Sequence, residues 1–102
     1  MSESLSKEAF TENLNTKFRV PLESSEPVEL ELIEVDDSGS TPRHEQFSVY
    51  FRGPLDRLLP QNTYHMEHPR MGAIALFIVP IGHGEAGFRY EAVFNRLITE
   101  RE

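Results

Sequence analysis

Ala73 to Val79 is an uninterrupted run of seven apolar residues within the stretch GAIALFIVPIG, residues 72–82, and no other apolar run in the chain is as long. Seven residues fall far short of the ~20 that a membrane-spanning helix needs and match an ordinary strand. Side chains alternate along a strand, so Ile74, Leu76 and Ile78 share one face and Ala73, Ala75, Phe77 and Val79 the other. A strand apolar on both faces predicts cover on both, inside a sheet and beneath a second layer. Pro80 has no N–H for a ladder and marks either the end of that strand or a bulge in it.

Shorter alternating segments lie on either side. Phe18, Val20 and Leu22 alternate with charged Lys17 and Arg19, and Pro21 favours a sheet edge. Val28, Leu30 and Leu32 alternate with Glu29 and Glu31, and then the phase slips: Ile33 and Val35 carry the pattern on. One extra residue that flips the inward set predicts a β-bulge. Phe47, Val49 and Phe51 point one way and Ser48, Tyr50 and Arg52 the other. Tyr64, Met66 and His68 alternate with Thr63, His65 and Glu67, and Phe88, Tyr90, Ala92 and Phe94 oppose Arg89 and Glu91. Turn residues separate these segments: Ser24-Ser25-Glu26-Pro27, Asp36 to Arg43, and the glycine-rich Gly82 to Gly87, read as a loop. Leu55, Leu58 and Leu59 in the connection after Gly53-Pro54 predict a fold-back that hides them.

Ser4 or Ser6 is placed to cap a short helix over Lys7 to Asn15 whose face is Leu5, Ala9, Phe10 and Leu14. That face needs burial, either on the doubly apolar strand or, as an arm, on another subunit. Six short strands with brief connections predict an antiparallel meander, since parallel crossovers need a dozen or more residues. The expected fold is mainly β: a small antiparallel barrel or two-layer sandwich with one short N-terminal helix. The expected organisation is one domain of 102 residues, with a helical arm over 1–16, a β core over 17–95 and a charged tail over 96–102.

Charge and composition narrow the function classes. The net charge of −7 argues against a nucleic-acid binder, which needs a basic patch to neutralise phosphates. The charge is uneven: Glu23 to Asp37 holds seven acids and no base. Such a stripe is either a solvated face or an attraction for a basic partner. The absence of cysteine excludes disulfides and thiolate chemistry. MSESLSKEAF lacks the basic and apolar regions of a secretory signal, so the expectation is a cytoplasmic protein without membrane association.

Candidate chemistry is sparse. His65 and His68 flank Glu67, but on a strand positions three apart face opposite sides, so no metal site is expected from them. There is no phosphate loop, nucleophile elbow or dinucleotide fingerprint, so neither catalysis nor a cofactor is expected. The outward positions of three strands instead supply Tyr50 and Arg52, His65 and Glu67, and Arg89 and Glu91. Tyrosine and arginine are enriched at protein interfaces, and these six residues are read as one partner-binding face.

The segments FSVYFRGP, LPQNTYHMEH, ALFIVPIG and YEAVFN occur in that order over residues 47–95. Phe51-Arg52-Gly53-Pro54, Leu59-Pro60-Gln61, Thr63-Tyr64, His68, Val79-Pro80 and Tyr90 to Asn95 carry the likeness. In them the chain resembles an uncharacterised family of small bacterial proteins, a domain of unknown function. Asn62 stands where that family usually has glycine, so the resemblance implies a turn with positive φ there, which asparagine tolerates. The family is similar to proteins encoded near phage-tail-like fibre and collar proteins. The resemblance thus implies a structural or accessory domain with a protein partner of tail-fibre or collar type, within a phage-tail-like particle or the cytoplasm, and it leaves a homo-oligomer open. A small barrel holding an apolar ligand and an enzyme of unrecognised type are the alternatives.

Overall fold

The computed structural model describes residues 6–23, 25–37, 39, 41 and 44–97, with the backbone alone at positions 96 and 97. One helix, α1 (Lys7–Glu12), precedes six strands: β1 (Lys17–Val20), β2 (Val28–Asp37), β3 (His44–Gly53), β4 (Asn62–His68), β5 (Gly72–Gly84) and β6 (Gly87–Leu97). All pairings are antiparallel, and the strand order β1-β2-β3-β6-β5-β4 closes into a barrel. The closure itself is one residue pair, Arg19 of β1 opposite Glu67 of β4.

The six strand segments read from alternation are the six strands, but their order is not one meander. β1-β2-β3 and β4-β5-β6 are two three-stranded meanders, joined by the long pairing of β3 with β6, from His44 opposite Leu97 to Gly53 opposite Phe88. The segment between Pro54 and Gln61 carries the chain across from one meander to the other. It buries Leu59 at 3% exposure but leaves Leu55 and Leu58 about half exposed, so the expected fold-back hides one leucine of three. The reason is the crossing itself, which has only one side against the core.

Inward positions follow the alternation closely. Phe18, Val20, Leu30, Leu32, Phe47, Val49, Phe51, Met66, Ile78 and Tyr90 are fully buried, and they fill the barrel. The phase slip in β2 is a register shift between Leu32 and Glu34, as one extra residue requires. Pro80 does not end β5; the strand runs on to Gly84 with a second shift between Pro80 and Gly82. The stretch from Gly82 to Gly87 is accordingly mostly strand, with its turn confined to Glu85 and Ala86. Gly87 is required where it stands: at φ +143 an added Cβ would lie 2.1 Å from the Gly53 carbonyl oxygen.

Two expectations about the apolar strand are corrected. Ile74, Leu76 and Ile78 are buried, but Phe77 on the other face is 52% exposed, and Ala73 and Ala75 are exposed too. The closed barrel supplies cover on the inside only, and among the described residues no second layer lies outside. Nor does α1 dock on that outer face. Phe10 inserts at the end of the barrel, with its ring 6.5, 6.3 and 5.4 Å from those of Phe18, Phe47 and Phe94. The helix is shorter than expected, ending at Glu12 with Asn13 as its C-cap, while Ser6 is its N-cap and accepts from the Ala9 N–H at 3.1 Å. It is part of the domain rather than an arm; Leu5, in its expected face, lies outside the described residues.

Asn62 does not have positive φ. It opens β4, its side-chain oxygen accepts from the Thr63 N–H, and among the described residues the non-glycine with positive φ is Asn15, at 67°. An extended backbone at Asn62 accepts asparagine without a left-handed turn. The charged-tail boundary also moves, because the β6 backbone pairs through Arg96 and Leu97 with Glu45 and His44; residues 98–102 lie outside the described residues.

Phe10→Ala should cost about 3–5 kcal/mol, the usual loss for a fully buried phenylalanine, whereas Phe77→Ala should change stability by less than about 1 kcal/mol. Urea midpoints of the two variants check this. Equal midpoints would mean that α1 is not part of the core.

Candidate functional site

The register of β2, β3 and β6 builds the outer face rung by rung. Glu31 lies opposite Arg52 and Arg52 opposite Arg89; Glu34 lies opposite Tyr50 and Tyr50 opposite Glu91; Asp36 lies opposite Ser48 and Ser48 opposite Val93. The bulge at Ile33 is what lets Glu31 and Glu34 both reach this face although they are three apart.

The side chains make a network in two parts, Arg52 with Glu31, and a chain from Glu34 through Arg89 and Tyr50 to Glu91. Arg52 donates to Glu31 at 2.8 Å, and Arg89 pairs with Glu34 at 3.5 Å. The Arg89 guanidinium also lies 5.3 Å from the centre of the Tyr50 ring, within cation–π range. The Tyr50 hydroxyl donates to Glu91 at 3.2 Å. Burial first, and then the Glu91 carboxylate, hold the Tyr50 phenol above its ordinary pKa, so it stays a donor at neutral pH. These pairs are half exposed, and each is worth at most about 1 kcal/mol to stability, so the network orders the face more than it holds the fold.

Four of the six residues read as one face therefore meet: Tyr50, Arg52, Arg89 and Glu91. His65 and Glu67 do not join them. They sit on β4, opposite Ala75 and Ala73 of β5, and β5 separates them from β6. Glu67 instead forms an ion pair with Arg19 across the β1–β4 closure. Alternation assigns a residue to the outside of a strand but says nothing of which strands are neighbours. Sequence reasoning missed Glu31 and Glu34, though the phase slip between them was the signal that both face outward. It also missed the apolar flank. Val93 is 63% exposed beside Glu91 on β6, and Phe77 is on the outer face of β5 two residues before Val79, which lies opposite Glu91.

Other groupings offer less. His65 is exposed and His68 buried, on opposite faces of β4. Among the described residues no group of three or more His, Asp or Glu is arranged to hold a metal ion. An open cleft of about 500 Å³ lies outside the barrel, lined by Lys17, Arg19, Glu26, Pro27, Val28, Glu29, Pro54 and Arg57. Arg57 on its rim is already occupied by the Glu26 carbonyl and the Ser25 hydroxyl. No helix among the described residues is long and apolar enough to cross a membrane.

Gly53, Leu59, Pro60 and Tyr64 do structural work around Tyr90 and the crossing segment. An added Cβ on Gly53 would lie 2.7 Å from Leu30 Cδ2 and 3.2 Å from Tyr90 Cε1, so glycine makes room for the ring. The Tyr90 hydroxyl accepts from the Leu59 N–H at 3.0 Å, and the Tyr64 hydroxyl donates to the Pro60 carbonyl at 2.6 Å. Two tyrosines thereby hold the crossing segment to the barrel.

Tyr90→Phe should cost about 1–3 kcal/mol, because it leaves the buried Leu59 N–H without an acceptor. Tyr64→Phe removes an exposed hydrogen bond and should cost less than about 1 kcal/mol. Thermal unfolding of the two variants side by side checks the order; a larger loss for Tyr64→Phe would refute it.

No curated protein and no solved structure matches the chain. Residues 5–94 match the model of a family described as a domain of unknown function, DUF6916, and the chain belongs to that family.

Proposed function

We propose that this domain is a non-catalytic interaction or assembly module that binds another protein through the outer face of β3, β6 and β5. The observation that carries this reading is the juxtaposition of Tyr50, Arg52, Arg89 and Glu91 with exposed Val93 and Phe77. An apolar strip bordered by tyrosine and arginine has the composition of a protein interface: an apolar centre with a polar rim. The network of Glu31, Glu34 and Glu91 pre-orders the two arginines and the tyrosine, which lowers the entropy lost on binding.

Two features count against the rival readings. Phenylalanine, leucine, isoleucine and Tyr90 side chains fill the barrel, so an apolar ligand would have to displace core residues that are fully buried. The outer network joins each acid to a cation or a phenol and leaves no acid poised beside a nucleophile. A partner in a phage-tail-like particle, of fibre or collar type, is the proposal that the family resemblance supports. The acidic stripe from Glu23 to Asp37 is not a separate site in this reading, because Glu31 and Glu34 belong to the network.

The test is affinity capture from the native host with the tagged domain, followed by binding measurements with the partner that co-purifies. Tyr50→Ala and Arg52→Ala should each weaken binding by about 2 kcal/mol or more, roughly 30-fold, if they are central anchors. His65→Ala and Glu67→Gln, on the far side of β5, should leave affinity within about twofold. Binding that survives loss of Tyr50 and Arg52 but collapses on raising salt or on Glu29→Gln would move the interface to the acidic stripe.

A further inference from the structure

His68 ends β4 and is only 5% exposed. Its ring is held from three directions. Nδ1 accepts from the backbone N–H groups of Arg70 at 3.0 Å and Met71 at 3.1 Å, in the turn that leads into β5. Nε2 lies 2.8 Å from the Thr16 hydroxyl, which itself donates to the Asn13 carbonyl at 2.6 Å. The Thr16 proton is therefore committed to Asn13, and Nε2 must carry the hydrogen and donate to Thr16. The ring also packs on Phe18 of β1, 4.3 Å between centroids. The two bonds at Nδ1 need that nitrogen unprotonated, so they hold only for the neutral ring with its hydrogen on Nε2.

The ring sits at the weakest join of the barrel. β1 and β4 share one pairing, Arg19 opposite Glu67, and the ion pair there is about half exposed. Asn13 and Thr16 belong to the link between α1 and β1, so His68 ties that link, β1 and the β4–β5 turn to one another.

We propose that His68 is an acid-sensitive latch on the β1–β4 closure: a proton on Nδ1 faces the two N–H donors of the turn, expels the ring, and opens the barrel along this seam. The charged groups around it favour that response. From the β4–β5 turn, Arg70 is the nearby cation, and it opposes a second positive charge. From the α1–β1 link come only the uncharged Asn13 and Thr16, with Glu12 beyond them on the cleft that Arg70 also lines. From β1 the ring meets Phe18, while Arg19 and, on β4, Glu67 point outward and pair with each other. Among the described residues no carboxylate is hydrogen-bonded to the ring to stabilise its charged form.

Burial, and then Arg70, lower the His68 pKa from the ordinary 6.5. The closed seam thus binds the proton less readily than the open one. Its stability is complete above the open-state value and declines as pH falls below it, until the closed-state pKa is passed.

Backbone amide exchange followed by NMR on the full chain tests this, at about pH 7.5 and about pH 5, with rates corrected for intrinsic pH dependence. In the wild type, protection at Arg70, Met71 and the β1 amides should fall by about tenfold per pH unit below the open-state pKa, while the β3–β6 ladder keeps its protection. In His68→Asn the shorter side chain can still accept from the turn but does not titrate, so the seam should show no such slope. Seam and ladder losing protection together, a seam unchanged down to about pH 5, or a wild-type slope in His68→Asn would each overturn the proposal. Should the variant not fold, the wild-type His68 ring signals decide: a ring that charges while Arg70 and Met71 stay protected refutes the latch.

Discussion

The register between β3 and β6 sets both surfaces of this barrel. These two strands are far apart in sequence, and their pairing makes one sheet of two independent three-stranded meanders. Inside, it places Gly53 beside Tyr90, so that the absence of a side chain at one position makes room for a ring at the other. Outside, the same register sets Tyr50 against Glu91 and Arg52 against Arg89. A slip of one residue would turn the core set outward and scatter the polar face at once. Long-range pairing of this kind also means that the outer polar face and the core form together.

Two bulges adjust what the ladder alone would impose. At Ile33 the extra residue lets β2 bury Leu32 and still present both Glu31 and Glu34 to the arginines of β3 and β6. At Pro80 and Gly82 the second irregularity falls where proline cannot donate, just after β5 changes partner: through Ile78 it pairs with β4 and from Val79 with β6. The outer side of β5 is left apolar and uncovered, next to the charged network. A surface that is apolar on one strand and carries acids already ion-paired or hydrogen-bonded on the adjacent ones leaves few free charges to desolvate against a partner.

The closure is built on different physics from the rest. β3–β6 is a long ladder of backbone hydrogen bonds, whereas β1 and β4 meet through one pairing, one exposed ion pair and the packed, hydrogen-bonded ring of His68. At the closure, then, side-chain contacts add to a single backbone pairing, whereas the β3–β6 backbone ladder runs the length of the strands.

Alternation along single segments was enough to identify the six strands, their inward residues and the bulge in β2, because a period of two is a local property of the chain. The amphipathic pattern and Ser4 or Ser6 likewise pointed to the start of the helix, with Ser6 the cap, since capping is settled within four residues. Its end came three residues earlier than the pattern suggests. Neighbourhood was not legible. That β3 pairs with β6 rather than with β4, setting Arg89 and Glu91 beside Tyr50 and Arg52 and leaving His65 and Glu67 beyond β5, follows from the crossing after β3, and no pattern within either strand encodes it. Nor does apolar character on both faces of 73–79 say whether the second face meets its own core or is left for something else; barrel closure decided that by enclosing only one side. Asn62 makes the same point in reverse, since tolerance of a left-handed turn is not a demand for one, and the start of β4 drew that residue into extended backbone.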